Sequence, residues 1–295
     1  SEGSEEGPVA SARRWLDDCA LQACSCGDDA GAEEPLECAR LCSELPRVGW
    51  DWPLGRLLWC IAQRREVHAA VDLFMGDGSG TSLLLAHGLA HGEGSDVAGI
   101  AGGHQRRLIT FEVSATSVRQ GLDHWLAPFR PAHMIVAANG SLVAASRQRL
   151  ALEADASPSS VRVIVVEGMP CPYPGGMQGA ILGDHLIHLY TNAHELQSPL
   201  RSLCVAAGGT ELAVLSGFGP ATFEWLTIER RCRPRWVVLE HINFPFNPGW
   251  VRERLLALGG WAEVARGQRQ LQPSPETGDT WSIRSWTILM RLDHE

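Results

Sequence analysis

Five short runs of this chain are apolar almost end to end: "AAVDLFM" from Ala69, "RLITFEV" from Arg107, "VRVIVVEG" from Val161, "ELAVLSG" from Glu211 and "RWVVLEHIN" from Arg235. A strand with one wet face alternates apolar and polar residues, whereas a strand buried on both faces does not. Helix-like stretches separate the runs, among them "TSLLLAHGLAH", "PATFEWLTIERRC" and "SVRQGLDHWLAPF", which sets Val118, Leu122, Trp125 and Leu126 on one face. Strands and helices in alternation predict a parallel sheet covered on both faces. The chain closes with "WAEVARGQ" and "SWTILMRL", two strand candidates with no helix between them, which suits an antiparallel hairpin. The expectation is an α/β fold: a doubly wound, Rossmann-like, mostly parallel seven-stranded sheet with a C-terminal antiparallel hairpin. It would occupy residues 46–295 as one domain, behind an acidic, Cys-rich appendage at 1–45. A Pro- and Gly-rich segment at 169–198 reads as a loop before a short helix.

Bulk properties narrow the function classes. The net charge of −9 argues against a nucleic-acid or anionic-membrane footprint. No apolar run approaches the roughly 18 to 20 residues that span a bilayer, and "SEGSEEGPVASARR" has no apolar signal core. Every basic residue other than His is Arg, which reads as compositional bias before it reads as anion recognition. Five of the nine cysteines are Cys19, Cys24, Cys26, Cys38 and Cys42, in a spacing that fits no zinc pattern. Reduced thiols, and a disulfide from Cys38 or Cys42 to Cys24 or Cys26, both remain open; the latter implies an oxidising compartment. Asn139-Gly140-Ser141 is the one N-glycosylation sequon and is weak by itself. The compartment stays open.

The first apolar run leads into Gly76, Gly78 and Gly80, followed by Thr81 and Ser82 at the expected helix start. In a doubly wound sheet, ligands bind beyond the carboxyl ends of the strands, at such a strand-to-helix turn. Glycine lets the backbone approach a ligand closely. Glu112, at the end of the second run, is placed to accept two ribose hydroxyls. The dinucleotide fingerprint is G-x-G-x-x-G, whereas this chain has G-x-G-x-G, which favours a nucleoside without a pyrophosphate.

Taken with "VDLFMGDGSGTS", "ITFEV", "VIVVEG", "ELAVLSG", "RWVVLEHIN" and the closing strand pair, the chain resembles class I S-adenosylmethionine-dependent methyltransferases over about residues 50–292. Within them it looks most like the small-molecule O-methyltransferase and cephalosporin-hydroxylase-like branch. The resemblance implies S-adenosylmethionine as cofactor and a small-molecule or glycan-like hydroxyl as acceptor. It implies that Gly76, Asp77, Gly78 and Gly80, with Thr81 and Ser82, line the methionine and ribose, that Glu112 holds the ribose, and that Glu167, Gly168 and Met169 lie along the adenine.

Two departures stand out. Where the family carries an acid two residues before the first glycine, this chain has Phe74; Asp72, one pleat deeper on the same strand face, either reaches the cofactor through water or is a buried, capped carboxylate. Ser216-Gly217-Phe218-Gly219 also lacks the carboxylate of metal-assisted relatives, so no metal site is expected. His241, beside Glu240 and Asn243, is then the candidate general base. His185, His188 and His194 are further candidates to reach an acceptor. Trp225, Trp236 and Trp250 read as core packing before they read as an acceptor wall. A catalytically degenerate binding module and a nucleotide-dependent oxidoreductase are the alternative functions.

Overall fold

The structure, a computed structural model, describes residues 7–22, 52–92, 105–145, 161–173, 191–215, 221–242, 248–270 and 283–292. Its helices are α1 (Pro8–Gln22), α2 (Trp52–Gln63), α3 (Thr81–His91), α4 (Ala115–Gln120), α5 (Asn192–Leu196), α6 (Pro199–Ala207), α7 (Ala221–Thr227) and α8 (Pro248–Ala257). Its strands are β1 (Ala69–Asp72), β2 (Arg106–Glu112), β3 (Ala132–Val136), β4 (Leu142–Ala144), β5 (Val161–Glu167), β6 (Leu212–Leu215), β7 (Trp236–Glu240), β8 (Trp261–Gln270) and β9 (Ile283–Arg291).

These strands form one sheet in the order β4-β3-β5-β2-β1-β6-β7-β9-β8. Neighbours from β3 to β7 are parallel, while β4 runs antiparallel to β3, and β9 antiparallel to both β7 and β8. The chain winds outward from β1 in both directions, so the winding reverses between β1 and β6, the place where open α/β sheets bind ligands. The doubly wound α/β class and the closing antiparallel pair are as expected from sequence.

Among the described residues the sheet has nine strands rather than the expected seven. The added pair, β3 and β4, is half-exposed along its length, so it lacks the unbroken apolar pattern that marks the central strands. Its turn contains Asn139-Gly140, with Gly140 at φ +78°, a hairpin signal that the sequence reading took only as a sequon.

Strand periodicity explains why the central runs are apolar throughout. Ala70, Leu108, Val163, Val214 and Val238 face one layer of the core, which holds α1 to α3. Val71, Ile109, Val166, Ala213 and Leu239 face the other, with residues of α6 and α8. Successive side chains on a strand point to opposite faces, so both sets are buried. α1 lies within the stretch expected to be an appendage, yet Ala12 and Leu16 enter the core. Disulfide Cys19–Cys60 ties it to α2. A second disulfide, Cys204–Cys232, links α6 to the π-helical turn that follows α7. Cys171 is buried, with its Sγ 3.4 Å from Ser198 Oγ. The pairings weighed for Cys24, Cys26, Cys38 and Cys42 lie outside the described residues.

α3 is buried on nearly every side, between the sheet and α2. The two helices meet at Gly88, where an added Cβ would stand 2.7 Å from Ala62 Cβ and 2.7 Å from the Trp59 carbonyl oxygen. Overpacking of this kind costs about 1 to 3 kcal/mol. Gly88→Ala is therefore expected to lower the unfolding free energy by that amount, read as a fall in the urea midpoint, with Gly88→Val worse; an unchanged midpoint for Gly88→Val would show that α2 and α3 are not in this close contact.

Candidate functional site

The carboxyl ends of β1, β2 and β5 meet at one place, and backbone hydrogen bonds fix how. Met75 N donates to the Phe111 carbonyl at 2.9 Å, and Gly168 N to the Glu112 carbonyl at 2.9 Å. The turn after β1 is built on glycine: Gly76 has φ +60° and Gly78 φ +85°, conformations that side chains disfavour. A Cβ on Gly76 would meet nothing within 4 Å, so that turn faces open space. One on Gly78 would press on Gly121 Cα at 3.0 Å.

Glu112 is the pivot of this region. Its Oε2 accepts from Gly76 N at 3.0 Å and its Oε1 from Ser114 N at 2.8 Å. The side chain is thus pinned between two strand ends while the residue keeps 8% exposure. A carboxylate offers about four lone-pair positions. Two are used, leaving one on each oxygen, which matches a pair of vicinal hydroxyl donors.

Asp72 plays a different part. It is fully buried, and its Oδ2 accepts from Thr81 Oγ1 at 2.8 Å and Ser82 Oγ at 2.5 Å. Ser82 Oγ also bonds Thr110 Oγ1 at 2.9 Å. Burial pushes the Asp72 carboxyl up to about 6, against the lowering effect of the two hydroxyls. Of the two readings from sequence, the geometry is that of the capped carboxylate: a brace between the end of β1 and the start of α3. The premise that Asp72 shares a strand face with Phe74 is corrected, because β1 ends at Asp72 and Phe74 packs on the opposite layer. The Thr81 and Ser82 hydroxyls are committed to this brace. Asp77 is exposed at the turn tip, where its Oδ1 accepts from Ser79 N and Ser79 Oγ. Gly80 caps α3 without a side-chain hydrogen bond, which suits a helix start that offers its N–H groups to a ligand.

Glu167 and Gly168 close the third strand end. Glu167 Oε2 lies 3.0 Å from Nε2 of His133, a β3 residue that the sequence reading missed. Gly168 has φ +136°, and its Cβ would collide with Val136 at 2.6 Å. Met169 is half-buried.

Glu240 ends β7 and His241 follows it, two strands from β1 and so about 10 Å across the sheet. Both are buried, at 8% and 3% exposure. His241 sits at φ +56°, a left-handed conformation costly for a non-glycine residue and enriched at functional sites. The other histidines separate from the site or escape description: His194 Nδ1 takes part in the capping of α5 through Thr191, and His185 and His188 lie outside the described residues, as do Ser216 to Gly219 and Asn243. Trp225 and Trp236 are fully buried in opposite layers of the core and form no common wall. Trp250 is half-buried beneath Arg254.

A second buried acid also escaped the sequence reading. Glu224 of α7 is fully buried; Tyr173 donates to its Oε1 at 2.8 Å, and its Oε2 has no partner among the described residues. Burial raises its carboxyl to about 8. In sequence it was one Glu in a helical run, with nothing to mark it as inward-facing.

Among the described residues no group of three or more His, Cys, Asp or Glu could hold a metal ion, and no helix is long and apolar enough to cross a membrane. No protein-family model and no curated protein matches the chain. Solved structures do. The O-methyltransferase TomG from Streptomyces achromogenes, solved with SAM, is 14% identical, covers 97% of this chain and 91% of its own, and has a TM-score of 0.42. An O-methyltransferase from Bacillus cereus, solved with SAH, is 12% identical, with 99% and 94% covered and a TM-score of 0.41. Precorrin-6y C5,15-methyltransferase from Geobacter metallireducens is 11% identical, with 83% and 92% covered and a TM-score of 0.40. Likeness of this degree assigns neither family nor activity.

Proposed function

We propose that the chain binds S-adenosylmethionine at the Gly76–Gly80 turn and transfers its methyl group to a hydroxyl of a small-molecule or glycan-like acceptor. The observation that carries this reading is Glu112, held by Gly76 N and Ser114 N with one acceptor position left on each oxygen. That arrangement suits the two hydroxyls of a ribose, beside an open turn with room for the amino-acid end. Asp77, Gly78 and Gly80 would complete that cradle, and Glu167 and Gly168 would lie toward the base. Asp72, Thr81 and Ser82 would support it from below by fixing the turn to α3.

When bound, the cofactor supplies an electrophilic methyl group on a sulfonium. The protein then has to align an acceptor oxygen and remove its proton. We assign proton removal to an imidazole nitrogen of His241, with Glu240 as the neighbouring carboxylate that favours the imidazolium formed. Burial of both residues keeps competing water from the base. The run Ser216-Gly217-Phe218-Gly219 offers no carboxylate to a divalent ion, so the proposed mechanism uses no metal.

The test is methyl transfer from labelled S-adenosylmethionine to a panel of phenols and glycans. His241→Ala should lower turnover by about 100-fold or more, the scale of general-base catalysis, with cofactor affinity unchanged. Turnover equal to that of the parent would remove His241 from the chemistry. Cofactor binding with no transfer to any acceptor would favour the binding-module alternative, which Phe74 and the run Ser216-Gly217-Phe218-Gly219 motivate.

A further inference from the structure

The hairpin added to the sheet brings one side chain to the proposed site. His133, on β3, pairs in register with Val165 of β5, and Ile135 with Glu167. His133 is two residues from Ile135, so it shares a sheet face with Glu167, and its Nε2 reaches Glu167 Oε2 at 3.0 Å. Side chains of both are mostly covered, at 17% and 29% exposure. A carboxylate only accepts, so Nε2 is the ring nitrogen that donates.

Glu167 in turn is the register partner of Glu112 on β2. The two acids therefore stand side by side on one face, about 4.8 Å apart in strand spacing. Each is held by its own donors: Glu112 by two backbone N–H groups, Glu167 by His133. With the amino-acid end of a nucleoside cofactor at the β1 turn and its ribose on Glu112, the base extends over the next strand out, which is β5.

We propose that His133 is a positioning residue for base recognition: by fixing Glu167 Oε2 it leaves Oε1 to accept from the exocyclic amine of an adenine. This rests on the cofactor reading given above. It gives the β3–β4 hairpin a function, since without β3 the Glu167 carboxylate has no such donor at its side. A carboxylate acceptor attracts the amine of adenine and repels the carbonyl of hypoxanthine, so the pair would discriminate between the two bases.

The test measures the affinity of the full chain for S-adenosyl-L-homocysteine and for its deaminated counterpart, S-inosyl-L-homocysteine. The parent should prefer the adenosyl compound by roughly 10-fold or more, the worth of a hydrogen bond to a charged group. His133→Leu should bring the ratio close to unity, and His133→Gln, which keeps a donor, should retain most of it. Because a ratio of affinities is read on each variant, a general disturbance of the edge strand cancels. A His133→Leu ratio equal to the parent's, or His133→Gln behaving as His133→Leu does, would overturn the assignment while leaving cofactor binding intact. A parent that binds neither compound would overturn the cofactor reading itself.

Discussion

Between about pH 5 and about pH 8 the protein is expected to lose several kcal/mol of stability, and Glu224→Gln is expected to remove most of that loss. The cause is the burial of Glu224, whose carboxyl rises from 4.5 to about 8 in the folded protein. A group whose folded value is raised binds its proton more tightly when folded. Its contribution is complete below the unfolded value and is lost as the pH climbs through the folded one, at up to about 1.4 kcal/mol per pH unit. Asp72, raised from 3.8 to about 6, acts in the same sense over the lower part of that range. Glu195 and Glu263 act oppositely. Burial opposes ionisation at both, but Arg231 and Arg230 at the first, and Arg252 and Thr287 at the second, hold the carboxylate below its usual range. Their contribution is lost as the pH falls. Stability should therefore peak on the acidic side of neutral.

Glutamine at 224 keeps an oxygen for the Tyr173 hydroxyl and cannot ionise. The variant should keep only the smaller fall due to Asp72 below about pH 7, show a nearly flat urea midpoint from about pH 7 to about pH 8.5, and above about pH 8 be the more stable protein. A parent midpoint that does not fall across this range would mean that Glu224 is not enclosed as described.

The fold was legible because its central strands are buried on both faces, a pattern that survives without any knowledge of partners. The edge was not. β3 and β4 have mixed exposure, and the hairpin signal Asn139-Gly140 was read for a different purpose. The candidate site was legible where geometry follows from chain order: Gly76, Gly78 and Glu112 come together because a strand end, a turn and a second strand end must meet in a doubly wound sheet. Whether Asp72 served a ligand or the protein could not be decided from its position, since the deciding partners, Thr81 and Ser82, are nine and ten residues away. His133 and Glu224 were invisible for a similar reason. Each acquires its meaning from one partner, Glu167 or Tyr173, that only the folded chain supplies.

Glu112 carries the second large expected effect. Replacement by Ala removes both the acceptor pair and the restraint on Gly76 N. Two hydrogen bonds to a charged group are worth about 3 kcal/mol or more together, so cofactor affinity should fall by at least about 100-fold. Glu112→Gln should fare little better, because one of its two terminal atoms becomes an NH2 group facing a backbone N–H, either Gly76 or Ser114. Gly78→Val should also weaken binding, since φ +85° and the contact with Gly121 leave no room for a branched side chain. Unlike Glu112→Ala, it should cost stability as well, which a parallel unfolding curve separates.

The most direct measurement is a calorimetric titration of the full chain with S-adenosylmethionine, repeated on Glu112→Ala and with NAD in place of the cofactor. The account predicts saturable binding of S-adenosylmethionine to the parent, at least about 100-fold weaker binding to Glu112→Ala, and no binding of NAD. Absence of heat with S-adenosylmethionine, or tight binding of NAD instead, would contradict it and leave the glycine turn as a corner of the fold or a site for another nucleotide.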